Sequence, residues 1–353
     1  MSRHEPRDEV SEKVEGFLTY LKQKSSPHSS YDVAKRTVTL MREVVSKTRW
    51  SSARDLMDRI RLEGRKIMAA QPSESIVGNM TRRVLKIIRE EHARCLGESS
   101  ADLDLKDSLH TLLKGGSGHD DLSKPVQNLK GPVIEAINEL LDEVESSGLN
   151  LAAQAPDHIH SNEIIMTAGF SRTVEAFLKA AARKRKFEVI VSESAPSYQG
   201  QQMAHNLAAA NIETTLITDS AVYAIMARVN KVIIGTHTVM ADGSLKALNG
   251  THAMALAAKH NSVPVLVCAS MFKLSPTYLC SYDQDTFNKI VAPHDVLNFC
   301  EGDMVSKVRV QNPVFDHVPP DLITLFLTNI GGSAPSYVYR HIGELYHADD
   351  HEL

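Results

Sequence analysis

From Asn162 onward, short apolar runs alternate with helix-patterned segments, and no other feature limits so tightly what the chain can fold into. The runs fall at 164–166 (IIM), 189–191 (VIV), 215–217 (TLI), 232–234 (VII) and 263–267 (VPVLV), with helical spacing near 172–183, 199–209, 221–227 and 251–260. Short, largely β-branched runs bounded by polar turns suit strands covered on both faces. Strand–helix alternation then predicts a parallel, Rossmann-like α/β sheet.

Open sheets of this kind place ligands outside the carboxyl ends of their strands. The stretch 231–252 (KVIIGTHTVMADGSLKALNGTH) is therefore the first place to look for chemistry. It reads as a buried strand ended by Gly235, a loop with Asp242 and Gly243, and then Asn249, Gly250 and Thr251, with Thr251 placed to cap a helix from about His252. The turn after the first run, Thr167-Ala168-Gly169-Phe170-Ser171, has one glycine. A dinucleotide fingerprint needs several, because backbone must approach the pyrophosphate closely, so the turn argues against nicotinamide or flavin. Neither a Walker loop nor a G-x-S-x-G nucleophile turn is present, and His160, His205, His252 and His260 are scattered.

The first third of the chain has a different period. Val10, Val14, Phe17 and Leu21, then Val33, Val38, Met41 and Val45, then Leu56, Ile60 and Ile67, and finally Ile76, Met80, Val84 and Ile88 recur at helical spacing. The breaks fall at 25–30 with Pro27, at 50–52 and at Pro72. Residues 1–97 are thus expected to form a bundle of amphipathic helices, whose charged face with Arg82, Arg83 and Lys86 is a candidate surface for an acidic partner. Residues 98–131, rich in Ser, Gly, Asp and Lys, read as a flexible loop. Pro132 fits the first position of a further helix leading into the α/β domain, 132–353. The fold class expected is α/β: an N-terminal helical bundle followed by a mostly parallel Rossmann-like domain.

Several function classes are disfavoured by composition. A formal charge of −4 gives no general attraction to nucleic acid or to anionic membrane. The basic run 183–186 lies at a helix C-terminus, where cations favour the dipole. His119, Asp120 and Asp121 are adjacent in a Gly-rich stretch and rarely converge on one ion in such a setting, so neither a metal nor a cofactor is expected. Cys95, Cys268, Cys280 and Cys300 follow no zinc spacing, the first ten residues carry no signal-peptide core, and no run is long enough to span a bilayer. A reduced, cytosolic protein is expected.

The stretch 231–252 also resembles the strand, loop and helix of a family that unites sugar-phosphate aldose-ketose isomerases with the regulatory subunits of eukaryotic initiation factor two B. The resemblance covers almost the whole chain and is strongest at 193–206 (ESAPSYQGQQMAHN), 211–219 (NIETTLITD), 231–252 and 312–332 (NPVFDHVPPDLITLFLTNIGG). Within the family, the phrases FKLSP at 272–276 and APSYVYR at 334–340 look most like the beta-type regulatory subunits.

The resemblance implies the loss of an active site. In the isomerases a cysteine after the first strand and an aspartate after the fourth move protons between sugar carbons, and here those positions correspond to Ala168, or its neighbour Gly169, and to His237. The phosphate-binding arginines correspond to Ala195 and Gln202, and an Asn-Lys pair to Ala247 and Leu248. Without those cations most of the attraction for a sugar phosphate is gone. An isomerase or sugar-phosphate sensor, the alternative reading, would need His237 and Asp242 to form a site. The family function implied is instead that of a non-catalytic subunit. It would pair with a delta subunit, join alpha, gamma and epsilon subunits, and contact the alpha subunit of initiation factor two. His160 and Asn162 resemble family positions at the central subunit interface, where a small-molecule activator can bind. The apolar run 322–327 and the pair Tyr337 and Tyr339 are further candidates for dimer contact.

Overall fold

The computed structural model describes residues 9–22, 29–97, 122, 126, 128–278, 287–300 and 302–353. The loop expected at 98–131, including His119, Asp120 and Asp121, lies almost wholly outside the described residues. By contact the chain divides into two compact units, Met1–Glu145 with His341–Leu353, and Ser146–Arg340.

The first unit holds α1 (Glu9–Lys22), α2 (Ser30–Lys47), α3 (Ala53–Ala70), α4 (Ser75–Cys95) and the first turns of α5 (Lys130–Ala153). α3 and α4 start where side chains satisfy their free amides: Ser52 accepts from Asp55 N and Glu74 from Ile76 N. The stripes read from the sequence, among them Val38, Met41, Leu56, Ile60, Ile76, Met80 and Ile88, are fully or almost fully buried. α5 begins at Lys130, two residues before the start expected at Pro132.

Residues 341–353 complete this unit, whereas the sequence pattern suggested that the α/β domain ran to the end. Ile342, Leu345 and Tyr346 are buried, and Lys86 donates to the carbonyls of Glu344 (2.6 Å) and Gly343 (3.3 Å). Arg82 Nε and Nη2 donate to the carbonyl of His351 at 3.2 and 2.9 Å, and Nε also to that of Asp350 at 3.1 Å. The Asp350 side chain, 0% exposed, accepts from Arg61 Nη2 (2.7 Å) and Arg89 Nε (3.0 Å). Polar and apolar anchors recur so closely in this segment that it packs as a strap on α3 and α4, a placement its local sequence does not announce.

The second unit is the expected α/β domain. Its large sheet has the order β10-β9-β7-β4-β1-β2-β3. The strands are β1 (Ile164–Ala168), β2 (Glu188–Ser192), β3 (Glu213–Ile217), β4 (Lys231–Gly235), β7 (Val265–Cys268), β9 (Leu325–Thr328) and β10 (Gly331–Ser333). All neighbours pair in parallel except β10, which runs antiparallel to β9. The helices α7 (Arg172–Ala182), α8 (Gln199–Ala208), α9 (Val222–Met226) and α10 (Thr251–His260) fall at or close to the predicted segments, whereas the short α6 (Ala155–His158) was not predicted. Around β1, β2 and β4 the core gathers Ile165, Val174, Phe177, Leu178, Val189, Val191, Met203 and Ile233. A short helix α11 (Gly302–Lys307) precedes β8, and α12 (Val338–Leu345) leads into the strap.

A second sheet was not foreseen. The stretch read as a loop after β4 is a hairpin, β5 (Thr238–Val239) and β6 (Leu245–Leu248), which pairs antiparallel with β8 (Phe315–Val318) in a second, three-stranded sheet. Its strands are too short to show a period, so the turn residues Asp242 and Gly243 dominate the reading. The run 322–327, a candidate for dimer contact, is largely core: Leu322, Ile323, Phe326 and Leu327 are buried. Tyr337 and Tyr339 are 55% and 76% exposed.

Candidate functional site

The chain passes from β1 to β2 and β3 on one side and returns to β4 on the other. The crevice at the carboxyl ends of β1 and β4 is therefore the topological switch point, the standard ligand position of an open α/β sheet. Ala168 ends β1, and Gly169 follows with φ +57°. A Cβ on Gly169 would meet Leu248 Cδ1 at 2.8 Å and Ser194 Oγ at 3.2 Å. The Leu248 side chain thus lies against the turn where the resemblance places the isomerase cysteine. It fills with hydrocarbon a position where the resemblance places a lysine.

The backbone amides of this edge are satisfied from within. Asp219, in the turn after β3, accepts from Ala195 N (2.7 Å), Ser194 N (3.0 Å) and the Ser192 hydroxyl. Asp316, on β8, accepts from Gly250 N (2.7 Å) and His252 N (3.3 Å) and so caps α10. The sequence suggested Thr251 as that cap; Thr251 is instead the first helical residue, and Gly250 stands before it with φ +91° and no side chain to offer. A cap supplied by a strand more than sixty residues away leaves no local signature.

His237 and Asp242 do not form a pair. His237 precedes β5, its Nδ1 is 3.0 Å from Thr238 Oγ1, and its ring lies 4.8 Å from that of Phe315. Asp242 sits in the turn at the far end of the hairpin, where its carboxylate accepts from Ser244 N (2.9 Å) and Ser244 Oγ (2.6 Å). Ala195 is exposed, and Gln202 is exposed on α8. Positions 168, 195, 202 and 248 supply neither a titrating group nor a cation. Beyond the carboxyl end of β4, buried polar groups are present that the sequence reading passed over. Lys273 Nζ donates to the carbonyl of Thr236 (2.8 Å), and Lys246 Nζ lies 4.7 Å from the centre of the Phe315 ring. Burial pushes the Cys268 thiol up to about 12 despite the Lys273 charge, so it stays protonated and inert at neutral pH. Proton transfer between sugar carbons needs two positioned titrating groups, and these positions do not supply them.

His160 and Asn162 lie at the opposite edge of the sheet, in the exposed turn entering β1. Asn162 adopts φ +65°, its amide donates to Lys186 O (2.8 Å), and the His160 amide donates to Glu163 Oε2 (2.9 Å). Lys231 Nζ joins this edge through the His158 carbonyl (2.8 Å) and the Glu163 carboxylate (2.8 Å). Both named side chains remain open to solvent. The cationic face expected at Arg82, Arg83 and Lys86 is not free. Arg82 is 4% exposed and bound to the strap, Arg83 donates to Glu143 Oε2 (2.7 Å) and Lys86 caps carbonyls of the strap. Helical spacing does not announce that residues 341–353 cover Arg82 and Lys86, or that Glu143 takes Arg83.

Among the described residues, no His/Cys/Asp/Glu group is arranged to hold a metal and no helix is long and apolar enough to cross a membrane. Comparison with known proteins gives the lineage of the scaffold. The sequence is 45% identical to translation initiation factor eIF2B subunit beta of Dictyostelium discoideum over 95% of both chains. It is 37% identical to the same subunit of Schizosaccharomyces pombe, with 91% of this chain and 92% of that one covered. Ribose 1,5-bisphosphate isomerase of Archaeoglobus fulgidus is 33% identical over 62% of this chain and 69% of its own. Among solved structures, a chain of the tetrameric eIF2B-beta2-delta2 complex of Chaetomium thermophilum superposes with a TM-score of 0.72 at 26% identity, covering 96% of this chain and 95% of that one. The family model described as the initiation factor 2 subunit family matches residues 26–335. A helical unit and a seven-stranded α/β unit, with Leu248 against the turn after β1, are thus the form that this chain gives to the scaffold of the initiation factor 2 subunit family, to which it belongs.

Proposed function

We propose that this chain is a non-catalytic, beta-type regulatory subunit of the multisubunit guanine nucleotide exchange factor that replaces GDP with GTP on translation initiation factor two. The observation that carries the reading is end-to-end similarity: 45% identity to a beta subunit over 95% of both chains leaves no domain of either without a counterpart. The crevice agrees with it, because Ala168, Ala195, Gln202 and Leu248 offer neither acid–base chemistry nor a cation for phosphate.

In this reading the chain pairs through its α/β unit with a delta subunit, the companion that the beta relative has in the beta2-delta2 complex of Chaetomium thermophilum. It then joins alpha, gamma and epsilon subunits in the cytosol. The complex contacts the alpha subunit of initiation factor two and responds to its phosphorylation. The exposed Tyr337 and Tyr339, aromatics of the type that enriches interfaces, suit subunit pairing. The exposed His160 and Asn162 suit a central interface open to a small-molecule activator.

Mild affinity isolation of the tagged chain, followed by native mass spectrometry, tests this directly. The expected result is co-elution with four related partner chains in equal copy, at the mass of two of each. A homodimer that ignores delta subunits would overturn it. The isomerase reading, prompted by the 33% identical relative, predicts turnover of ribose 1,5-bisphosphate by the purified chain. We expect none, nor any heat of binding with pentose phosphates.

A further inference from the structure

Asn249 and Gly250 join β6 to α10, and of all the asparagines in the chain Asn249 alone is followed by glycine. Both residues are exposed. The Asn249 backbone is fixed, its amide donating to Val314 O at 2.9 Å, but its side chain is scarcely held: Nδ2 lies 3.5 Å from Pro313 O, at the outer limit of a hydrogen bond. Gly250 stands at φ +91° with open space where a Cβ would be, so no side chain of its own shields its nitrogen. Among the described residues, the one tie on that nitrogen is the bond that its N–H donates to Asp316 Oδ2 at 2.7 Å. A carboxamide carbon and a backbone nitrogen are thus held side by side in solvent, nucleophile and electrophile within one dipeptide.

We propose that Asn249–Gly250 is a self-modification site of the α/β unit, with Asp316 as its restraint. The Gly250 nitrogen gives its proton to solvent hydroxide and bonds to Asn249 Cγ; the Cγ–Nδ2 bond breaks, and the side-chain nitrogen takes a proton from water and leaves as ammonia. Water then opens the cyclic imide at either carbonyl, giving an aspartyl or an isoaspartyl link. Asp316 opposes the first step twice, because its hydrogen bond keeps the proton on the nitrogen and its charge disfavours the amide anion. Either product places a new carboxylate beside Asp316 at the entrance of α10. The isoaspartyl form also adds a methylene to a connection that is fixed at both ends, by the β6–β8 ladder and by the helix cap. Neither a cofactor nor a second protein is needed, and the site does not depend on which subunits the chain joins.

The test is to age the full chain in mildly alkaline buffer and map its peptides by mass and chromatography. The peptide carrying Asn249 should show the exchange of amide for acid and split into aspartyl and isoaspartyl forms, while the one carrying Asn261–Ser262, where a Cβ guards the nitrogen, stays intact. Asp316→Ala should convert severalfold faster than the native chain, and Asn249→Gln should not convert. Asp316→Asn, which keeps the shape and drops the charge, should give the same ordering where the alanine variant loses its fold. In the aged native chain, hydrogen exchange of residues 251–254 should be faster than in fresh chain, and in Asn249→Gln aged alongside it should be unchanged. Intact Asn249 in the native chain and in both Asp316 variants, after a time that fully converts the free peptide 245–252, would overturn the site. Equal rates in the native chain and the Asp316 variants would overturn the restraint.

Discussion

Replacing Asp350 by alanine leaves Arg61 and Arg89 without the buried carboxylate that they share. Breaking a buried pair from one side typically costs about 3–5 kcal/mol, so the helical unit should lose that order of stability in urea unfolding followed by helix signal. Burial alone would raise the Asp350 carboxyl; the hydrogen bonds and charges of Arg89 and Arg61 outweigh it and hold it below the ordinary value of 3.8. His351 is likewise depressed below 6.5, by burial and by the neighbouring Arg82 and His347. The fold therefore prefers both groups deprotonated. The His351 contribution is complete above about pH 6.5 and fades as pH falls below it, and that of Asp350 fades only below about pH 3.8. His351→Gln should flatten the thermal midpoint between pH 7 and 5 relative to the native chain; an unchanged slope would exclude His351 as the source. None of this was legible beforehand. Solvation is the default for charged residues such as Arg82 and Lys86 on an amphipathic helix, and only contacts across more than 250 residues reverse it.

At the scale of elements, legibility followed length and period. The four long helices and the five parallel strands of the alternating pattern were found to within a few residues, because a buried stripe or a β-branched run carries its own signal. β5, β6, β8, β9 and β10 were missed: each is two to four residues long, and pairing partners rather than local sequence define them. The same separation hid the Asp316 cap of α10. Asp316→Ala should cost about 0.5–2 kcal/mol and fray the first turn of that helix, visible as faster exchange at Gly250 and His252. Gly200, in the first turn of α8, faces the carbonyl of Ser192 so closely that a Cβ has no room. Gly200→Ala should cost about 1–3 kcal/mol by forcing α8 away from β2, measured as a lowered denaturation midpoint of the α/β unit.

For the whole molecule, the succession of a helical region and a mostly parallel α/β sheet was readable from the change of period. The partition itself was not, since residues 341–353 belong with the helices. If the chain pairs through the face bearing Tyr337 and Tyr339, Tyr339→Asp should weaken its association with a delta subunit by at least about 30-fold, the effect of losing a hot-spot aromatic of about 2 kcal/mol. Titration of purified subunits by mass photometry measures this, and unaltered pairing would move the interface elsewhere. The strap also orders events in time. Its residues leave the ribosome after the entire α/β unit, yet they complete the unit that is made first. Domains generally fold in the order of synthesis, but here the leading helices must wait, with α3 and α4 uncovered, until translation has reached the far end of the chain. A premature stop anywhere after Arg340 would therefore injure the beginning of the molecule, and nascent-chain chaperones should hold its first hundred residues longest.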